Sequence, residues 1–392
     1  PPGPSHGGLG NSEGPQATDF AHPPIISQLS VMVASPSLSG SYRPTHGGNR
    51  NWAAHLANCN PEEILDFSAS INPLGPPQSV LTTLAEQLQN LTAYPEPNYT
   101  QLRSALSDFH NLPMDWILPG NGAAELLTWI GRELAQLDAT YLVTPAFADY
   151  QRGLKAFNAR VIPVPMNLET MPPQTNITAS PNCGLLLNNP HNPTGTLTLR
   201  ENLLPYLEQF SLVVVDEAFM DFLPPDQQQS LLDVILDFPN LIVLRSLTKF
   251  YSLPGLRLGY AIGHPNYLKR WQQWRDPWPV NTLAAVAAIA ALKDHSFQQQ
   301  TWDWLPPARD ALIAGLQKLP GLTPLAGAAN FLLVKTDIPS TQLQKDLLKS
   351  DKILIRDCLS FPELGENYFR IAVRLPKEND QLLTALAQIL TP

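Results

Sequence analysis

Short apolar runs closed by polar residues, with helical stretches between them, constrain this chain more than any other feature. Thr140–Val143 precedes Thr-Pro, Leu185–Leu187 precedes Asn-Asn-Pro, Leu212–Val215 precedes Asp-Glu, and Leu241–Leu244 precedes Arg-Ser; Leu256–Ile262 follows soon after. Runs this short, apolar without alternation, suit strands buried on both faces of a parallel sheet. Between them lie stretches such as Leu126, Leu127, Ile130, Leu134 and Leu137, whose spacing is helical, with Glu125 in the first turn. Strands alternating with helices predict a doubly wound α/β layer. Ligands of such layers sit at the carboxyl ends of the strands, and those ends carry Asn188, Asp216 and Ser246 here.

Beyond about residue 285 the texture changes. Ala285–Leu292 and Ala308–Leu319 read as helices, Asn330–Val334 and Tyr368–Val373 as strands, and Gln342–Leu348 as a helix. That mixture predicts a second, smaller α+β domain. The expected divisions are therefore 1–45, 46–75, 76–285 and 286–392. Residues 1–45 hold 8 of the 40 prolines and 6 glycines with little apolar periodicity, and read as a flexible tail. The sequence begins at Pro1, and its first methionine is Met32. The corresponding expectation is that translation begins there and residues 1–31 are an upstream extension.

Composition removes several classes. With 392 residues, 44% of them hydrophobic, the chain can build a large core. A net charge of -9 leaves no broad basic field for nucleic acid. Three widely spaced cysteines, Cys59, Cys183 and Cys358, make neither a disulfide framework nor a zinc motif, so no metal is expected and a reducing, cytoplasmic setting is. The longest apolar stretch, Leu283–Leu292, is about half a membrane span.

Four ordered motifs carry the chemistry: Gly-Asn-Gly-Ala-Ala-Glu at 120–125, Asn-Pro-His-Asn-Pro-Thr-Gly at 189–195, Asp-Glu-Ala-Phe at 216–219, and the segment 246–260, which runs from Ser246 through Lys249 and Arg257 to Tyr260. Alone, Lys249 reads as a surface lysine. In a Ser/Thr/Gly-rich turn after a buried strand it is a desolvated amine and a usable nucleophile. Ser246, Thr248 and Arg257 offer two hydroxyls and a planar cation to a phosphate. Gly122, Ala123 and Ala124 add backbone N–H groups where a helix begins. Asp216, closing an apolar strand, needs a cationic partner such as a pyridinium nitrogen. Asn192 can donate to a phenolate oxygen, and Phe147 can stack on a heteroaromatic ring. Each has a plainer reading as a helix cap, a turn or core packing; their joint order favours the chemical one.

With these motifs the chain resembles the fold-type I pyridoxal-phosphate enzymes of the aminotransferase class I/II superfamily over roughly residues 46–392. The resemblance implies a large doubly wound mixed-sheet domain that binds pyridoxal 5'-phosphate, over 76–285, a smaller α+β domain over 286–392, and a 46–75 segment contributing to the small domain and the active site. It implies that Lys249 holds the cofactor covalently, that Asp216 pairs with the ring nitrogen, and that Asn192 bonds the ring oxygen. Ser246, Thr248, Arg257 and the 122–124 backbone would hold the phosphate. Phe219 departs from the pattern, because many aminotransferases carry tyrosine there.

Within the superfamily, His-Gly-Gly-Asn at 46–49, the Asp66–Pro77 segment, Tyr-Pro-Glu-Pro-Asn-Tyr at 94–99 and Arg-Asp-Cys at 356–358 resemble the threonine-phosphate decarboxylases of cobalamin synthesis, which are similar to histidinol-phosphate aminotransferases. That narrower resemblance implies decarboxylation of L-threonine O-3-phosphate to (R)-1-amino-2-propanol phosphate. Arg370 would take the substrate carboxylate, with Arg374 near the same face, and Arg356 the distal phosphate. His46 and Asn72 are further substrate-side candidates. Tyr99 would reach the cofactor phosphate of a neighbouring subunit, which implies a homodimer with shared sites. A histidinol-phosphate-type aminotransferase and a non-catalytic binding protein of the same fold stay open as alternatives.

Overall fold

The computed structural model describes residues 43–170, 177–178 and 181–391. The chain divides into two units, Pro1–Arg43 and Pro44–Pro392, and all the secondary structure described belongs to the second. The expected tail and the Met32 start fall, except for residues 43–45, outside the described residues.

Seven strands form the principal sheet: β1 (Ile117–Asn121), β2 (Ala139–Thr144), β3 (Val161–Pro165), β4 (Cys183–Asn188), β5 (Leu212–Asp216), β6 (Leu241–Ser246) and β7 (Leu258–Gly263). Their spatial order is β1-β7-β6-β5-β4-β2-β3. The unbroken apolar runs have a direct cause. Val213 and Val215 of β5 point into one hydrophobic cluster, and Leu212 and Val214 into another; Leu241 and Val243 of β6 are likewise opposed to Ile242 and Leu244. Both faces are covered, so neither face of the strand can be polar. On one face lie α2 (Gly122–Leu134) and α3 (Ala148–Ala156), which follow α1 (Arg50–Ala57) in the chain.

One strand makes the sheet mixed, as the resemblance implies. β7 runs antiparallel to both β1 and β6. Only residues 247–257 join it to β6, too few for the crossover a parallel neighbour needs. β1 and β3 carry no strong apolar run. β3 contains Pro163 and Pro165 and lies at the sheet edge, where missing donors are tolerated.

Beyond the sheet come α4 (Thr282–Leu292) and α5 (His295–Leu316). The helix expected at Ala308–Leu319 thus begins thirteen residues earlier. Pro306 and Pro307 lie inside it rather than at its start, although prolines ordinarily break a helix interior. A smaller antiparallel sheet takes the order β10-β9-β8, from β8 (Leu322–Pro324), β9 (Phe331–Thr336) and β10 (Tyr368–Ala372). It packs with α6 (Ser340–Asp351) and α7 (Pro376–Leu390). The segment before residue 75 is tied to this part: Leu65–Asp66 pairs in parallel with Ile353–Leu354, and the Ala372 N–H donates to Phe67 O at 2.8 Å. The architecture is a mixed seven-stranded sheet layer with a small antiparallel-sheet partner, the arrangement the resemblance implies. Among the described residues no helix is long and apolar enough to cross a membrane.

Candidate active site

The strand ends meet in a cleft of about 1000 Å³. Asn188 at the end of β4 is paired in register with Asp216 at the end of β5, and both line it. β6 ends at Ser246 and turns at once into the single helical turn Leu247–Phe250, which presents Thr248 and Lys249. Lys249 Nζ lies 5.1 Å from the Phe219 ring centroid. Burial lowers its pKa against the pull of Asp216, and Arg257 and Arg370 lower it further. The result is an amine biased toward its neutral, nucleophilic form.

Asp216 shows the opposite pressure. Burial raises its pKa, and Lys249, the Tyr150 hydroxyl and the Ala218 N–H resist that rise. Tyr150 donates to Oδ2 at 2.7 Å and the Ala218 N–H to Oδ1 at 3.0 Å. Among the described residues no cation stands within ion-pair distance of this carboxylate, so its charge, when ionised, is left without an ion-pair partner there.

Arg257 follows a one-turn 254–256 helix in the left-handed region, at φ 58°. Its guanidinium lies against Gly122, where an added Cβ would stand 2.5 Å from Nη2. Gly122 also has φ +72°, so glycine there serves both the turn and the close approach. Gly122, Ala123 and Ala124 open α2, and the arginine beside them lines the cleft. Ser246 Oγ and Thr248 Oγ1 are 2.9 Å apart; Thr248 faces the cleft, and Ser246 is buried behind it. Phe147 lines the cleft with its ring centroid 5.5 Å from His46 and 5.6 Å from Tyr150.

Three further arginines stand on or beside the smaller sheet. Arg370 on β10 is buried, and its Nη1 donates to Asn192 Oδ1 at 2.5 Å and its Nη2 to Ser68 O at 3.2 Å. Burial pulls its pKa down to about 10, and its Nε has no partner. Asn192 also lines the cleft. Arg356 is joined to Arg370 by an isolated antiparallel bridge. Its guanidinium donates to Pro44 O at 3.0 Å, to Thr45 O, and to Ser360 Oγ at 2.6 Å. Arg374 lines the outer cleft, tied to Asp66 O and Glu378. His46 also lines the cleft, its pKa lowered by burial.

Two expected site residues lie elsewhere. Asn72 is 2% exposed, and its Nδ2 donates to Phe250 O and Thr301 Oγ1, both at 2.8 Å. With its N–H on Lys249 O at 3.0 Å, it braces the lysine turn from behind rather than meeting a substrate. Tyr99 is 4% exposed, and its hydroxyl is spent within its own chain on Val280, donating to the carbonyl at 3.0 Å and accepting from the N–H at 3.1 Å. The motif carries a second tyrosine, Tyr94, which is 78% exposed and stacks on Trp278 with centroids 4.3 Å apart. Tyr150 was not singled out from sequence. Its spacing from Phe147, three residues on at a helix start, was the available signal.

The family model for aminotransferase class I and II matches residues 62–386. A threonine-phosphate decarboxylase from Salmonella typhimurium is 38% identical over 366 residues, 89% of this chain and 98% of that protein. The crystal structure of an L-threonine-O-3-phosphate decarboxylase from Porphyromonas gingivalis is 26% identical with a TM-score of 0.75, covering 83% of this chain and 99% of that one. That of a histidinol-phosphate aminotransferase from Sinorhizobium meliloti, in complex with pyridoxal-5'-phosphate, superimposes with a TM-score of 0.77 over 90% of this chain and 98% of that one; at 21% identity this is a likeness of fold.

Proposed function

We propose that this chain, which belongs to the aminotransferase class I and II family, is a pyridoxal-phosphate-dependent carboxy-lyase that converts L-threonine O-3-phosphate to (R)-1-amino-2-propanol phosphate and carbon dioxide. The observation that carries the choice of substrate is 38% identity across nearly the whole of a threonine-phosphate decarboxylase. The cleft is consistent with it, since two buried arginines, Arg370 and Arg356, stand side by side and a dianionic substrate carries a carboxylate and a phosphate.

The donor set fits the cofactor. Asp216 is a buried carboxylate in want of a cation, Lys249 a desolvated amine, and Arg257 beside Gly122 a cationic cradle with no room for a side chain. In this reading Lys249 would hold the cofactor, Asp216 would pair with its ring nitrogen, Phe147 would stack on the ring, and the Asn192 amide would bond the ring oxygen. Ser246, Thr248, Arg257 and the opening of α2 hold its phosphate. When bound, the cofactor supplies an electron sink next to the substrate's α-carbon. Asp216 would keep the ring nitrogen's proton in place. Arg370 and Arg356 anchor the two anions, and that anchoring sets which α-bond is presented for cleavage. The Lys249 amine would be the proton donor at the substrate's α-carbon.

We further assign the enzyme to a homodimer whose sites borrow Tyr94, the exposed tyrosine of the 94–99 motif, in place of the enclosed Tyr99. The second reading, a histidinol-phosphate-type aminotransferase, is supported by the shared fold and by a lower sequence identity, 32% over 332 residues for a histidinol-phosphate aminotransferase from Symbiobacterium thermophilum. One assay separates the two. With O-phosphothreonine and no keto acid we expect stoichiometric carbon dioxide, and in the substrate-free protein an absorbance band at roughly 410–430 nm that Lys249→Ala abolishes. Amino transfer from histidinol phosphate that requires a keto acid, without carbon dioxide, overturns the assignment. A protein with no such band overturns the cofactor reading itself.

A further inference from the structure

We propose that Tyr150 is a positioning residue that sets the proton affinity of Asp216 and, through it, the charge on the cofactor ring. The inference rests on the cofactor reading above. Tyr150 is buried on α3 at 3% exposure, and its hydroxyl donates to Asp216 Oδ2 at 2.7 Å. The other carboxylate oxygen is taken by the Ala218 N–H. Tyr150 is therefore the one side chain whose hydrogen bond falls on this carboxylate among the described residues. Both residues line the cleft.

The geometry fixes the direction of the effect. The phenol is a donor here, because burial and the adjacent Asp216 hold its own proton firmly. A donor to a buried carboxylate stabilises the ionised form by more than a neutral hydrogen bond would. Its removal leaves Asp216 more basic. A more basic Asp216 draws the proton it shares with the ring nitrogen toward itself, so the ring carries less positive charge. The nitrogen contributed by Lys249 then keeps its proton to higher pH. Phe219, where many family members place a tyrosine, offers no hydroxyl to compensate.

The same side chain meets the Phe147 ring edge-on, with centroids 5.6 Å apart. A purely packing role for Tyr150 would therefore act through Phe147, and Tyr150→Phe leaves that contact in place while deleting only the hydroxyl. The test is a pH titration of the 410–430 nm band in the holoenzyme and in Tyr150→Phe, read alongside kcat and KM. The expected result is a titration midpoint raised by about half a pH unit or more, and kcat lowered about tenfold with a smaller change in KM. A band present in both proteins with the same midpoint overturns the role of Tyr150 and leaves the cofactor reading standing. A wild-type protein that shows no band overturns both.

Discussion

A carboxylate buried at the end of β5 with no ion pair costs folding free energy until a cation arrives, and Asp216 is in that position. Burial raises its carboxyl above its unfolded value. Across that interval the folded state binds the extra proton, so stability falls as pH rises through it. At neutral pH the empty protein therefore carries Asp216 as a net cost. Asp216→Asn keeps the Ala218 hydrogen bond and still lets the Tyr150 hydroxyl bond an amide. The expected outcome is an apoprotein stabilised by about 1 kcal/mol, roughly 2 °C in a thermal melt, that retains pyridoxal phosphate poorly on dialysis. An Asp216→Asn apoprotein less stable than the parent would mean that Lys249 already neutralises the carboxylate. The same conflict explains why Asp216 was legible in the sequence. An acidic residue closing an all-apolar strand has no structural excuse at that depth.

At the scale of elements, the site depends on how the ends of β5 and β6 are held together. Glu217 follows Asp216, and Arg245 precedes Ser246. Arg245 reaches Glu217 at 2.9 Å and Asp221 at 2.5 Å, all three buried, with Ser230 bonded to both Arg245 and Glu217. Burial would lower the arginine's pKa, but Asp221 and Glu217 hold it raised. Arg245→Met strands two buried carboxylates, so it should destabilise by about 3–5 kcal/mol. Adding Glu217→Gln and Asp221→Asn should return a large part of that loss. Urea denaturation of the single and triple variants checks both statements, and equal stability of the two would remove the ion cluster from the account. None of this was legible from the chain. The motif reading took Asp216 and Ser246 by their places at strand ends and passed over their neighbours, because pairing between residues 217 and 245 depends on register that a single sequence does not display. For a similar reason the strand of the mixed sheet that runs antiparallel is not identifiable from its apolar run. Its direction is set by the short 247–257 connection, which matters more than its apolar content.

Over the whole molecule, motifs placed the cleft but could not say which side chains turn outward. Lys249, Asp216, Asn192, Arg257, Arg356 and Arg370 all line the cleft, and each is of a chemical type that a strand end or a deep pocket must explain. Asn72 and Tyr99 were drawn in by their motifs, yet their side chains face inward, Asn72 toward α5 and Tyr99 toward Val280. Exposure now separates the two tyrosines of the 94–99 segment, and Tyr94 with Trp278 forms an apolar surface pair on one protomer. If each site borrows Tyr94 from its partner, defects in Lys249 and Tyr94 must complement across subunits. Lys249→Ala keeps an intact Tyr94 to lend, and Tyr94→Ala keeps an intact Lys249 to use. Mixing the two inactive proteins under conditions that exchange subunits should give heterodimers with one complete site and one doubly defective site. Random exchange makes half the dimers mixed, and each mixed dimer has one of two sites intact, so activity should return to about a quarter of wild type. Activity that stays at the level of the separate variants, while mass analysis shows that heterodimers have formed, would place Tyr94 outside the neighbouring site and make each protomer complete in itself.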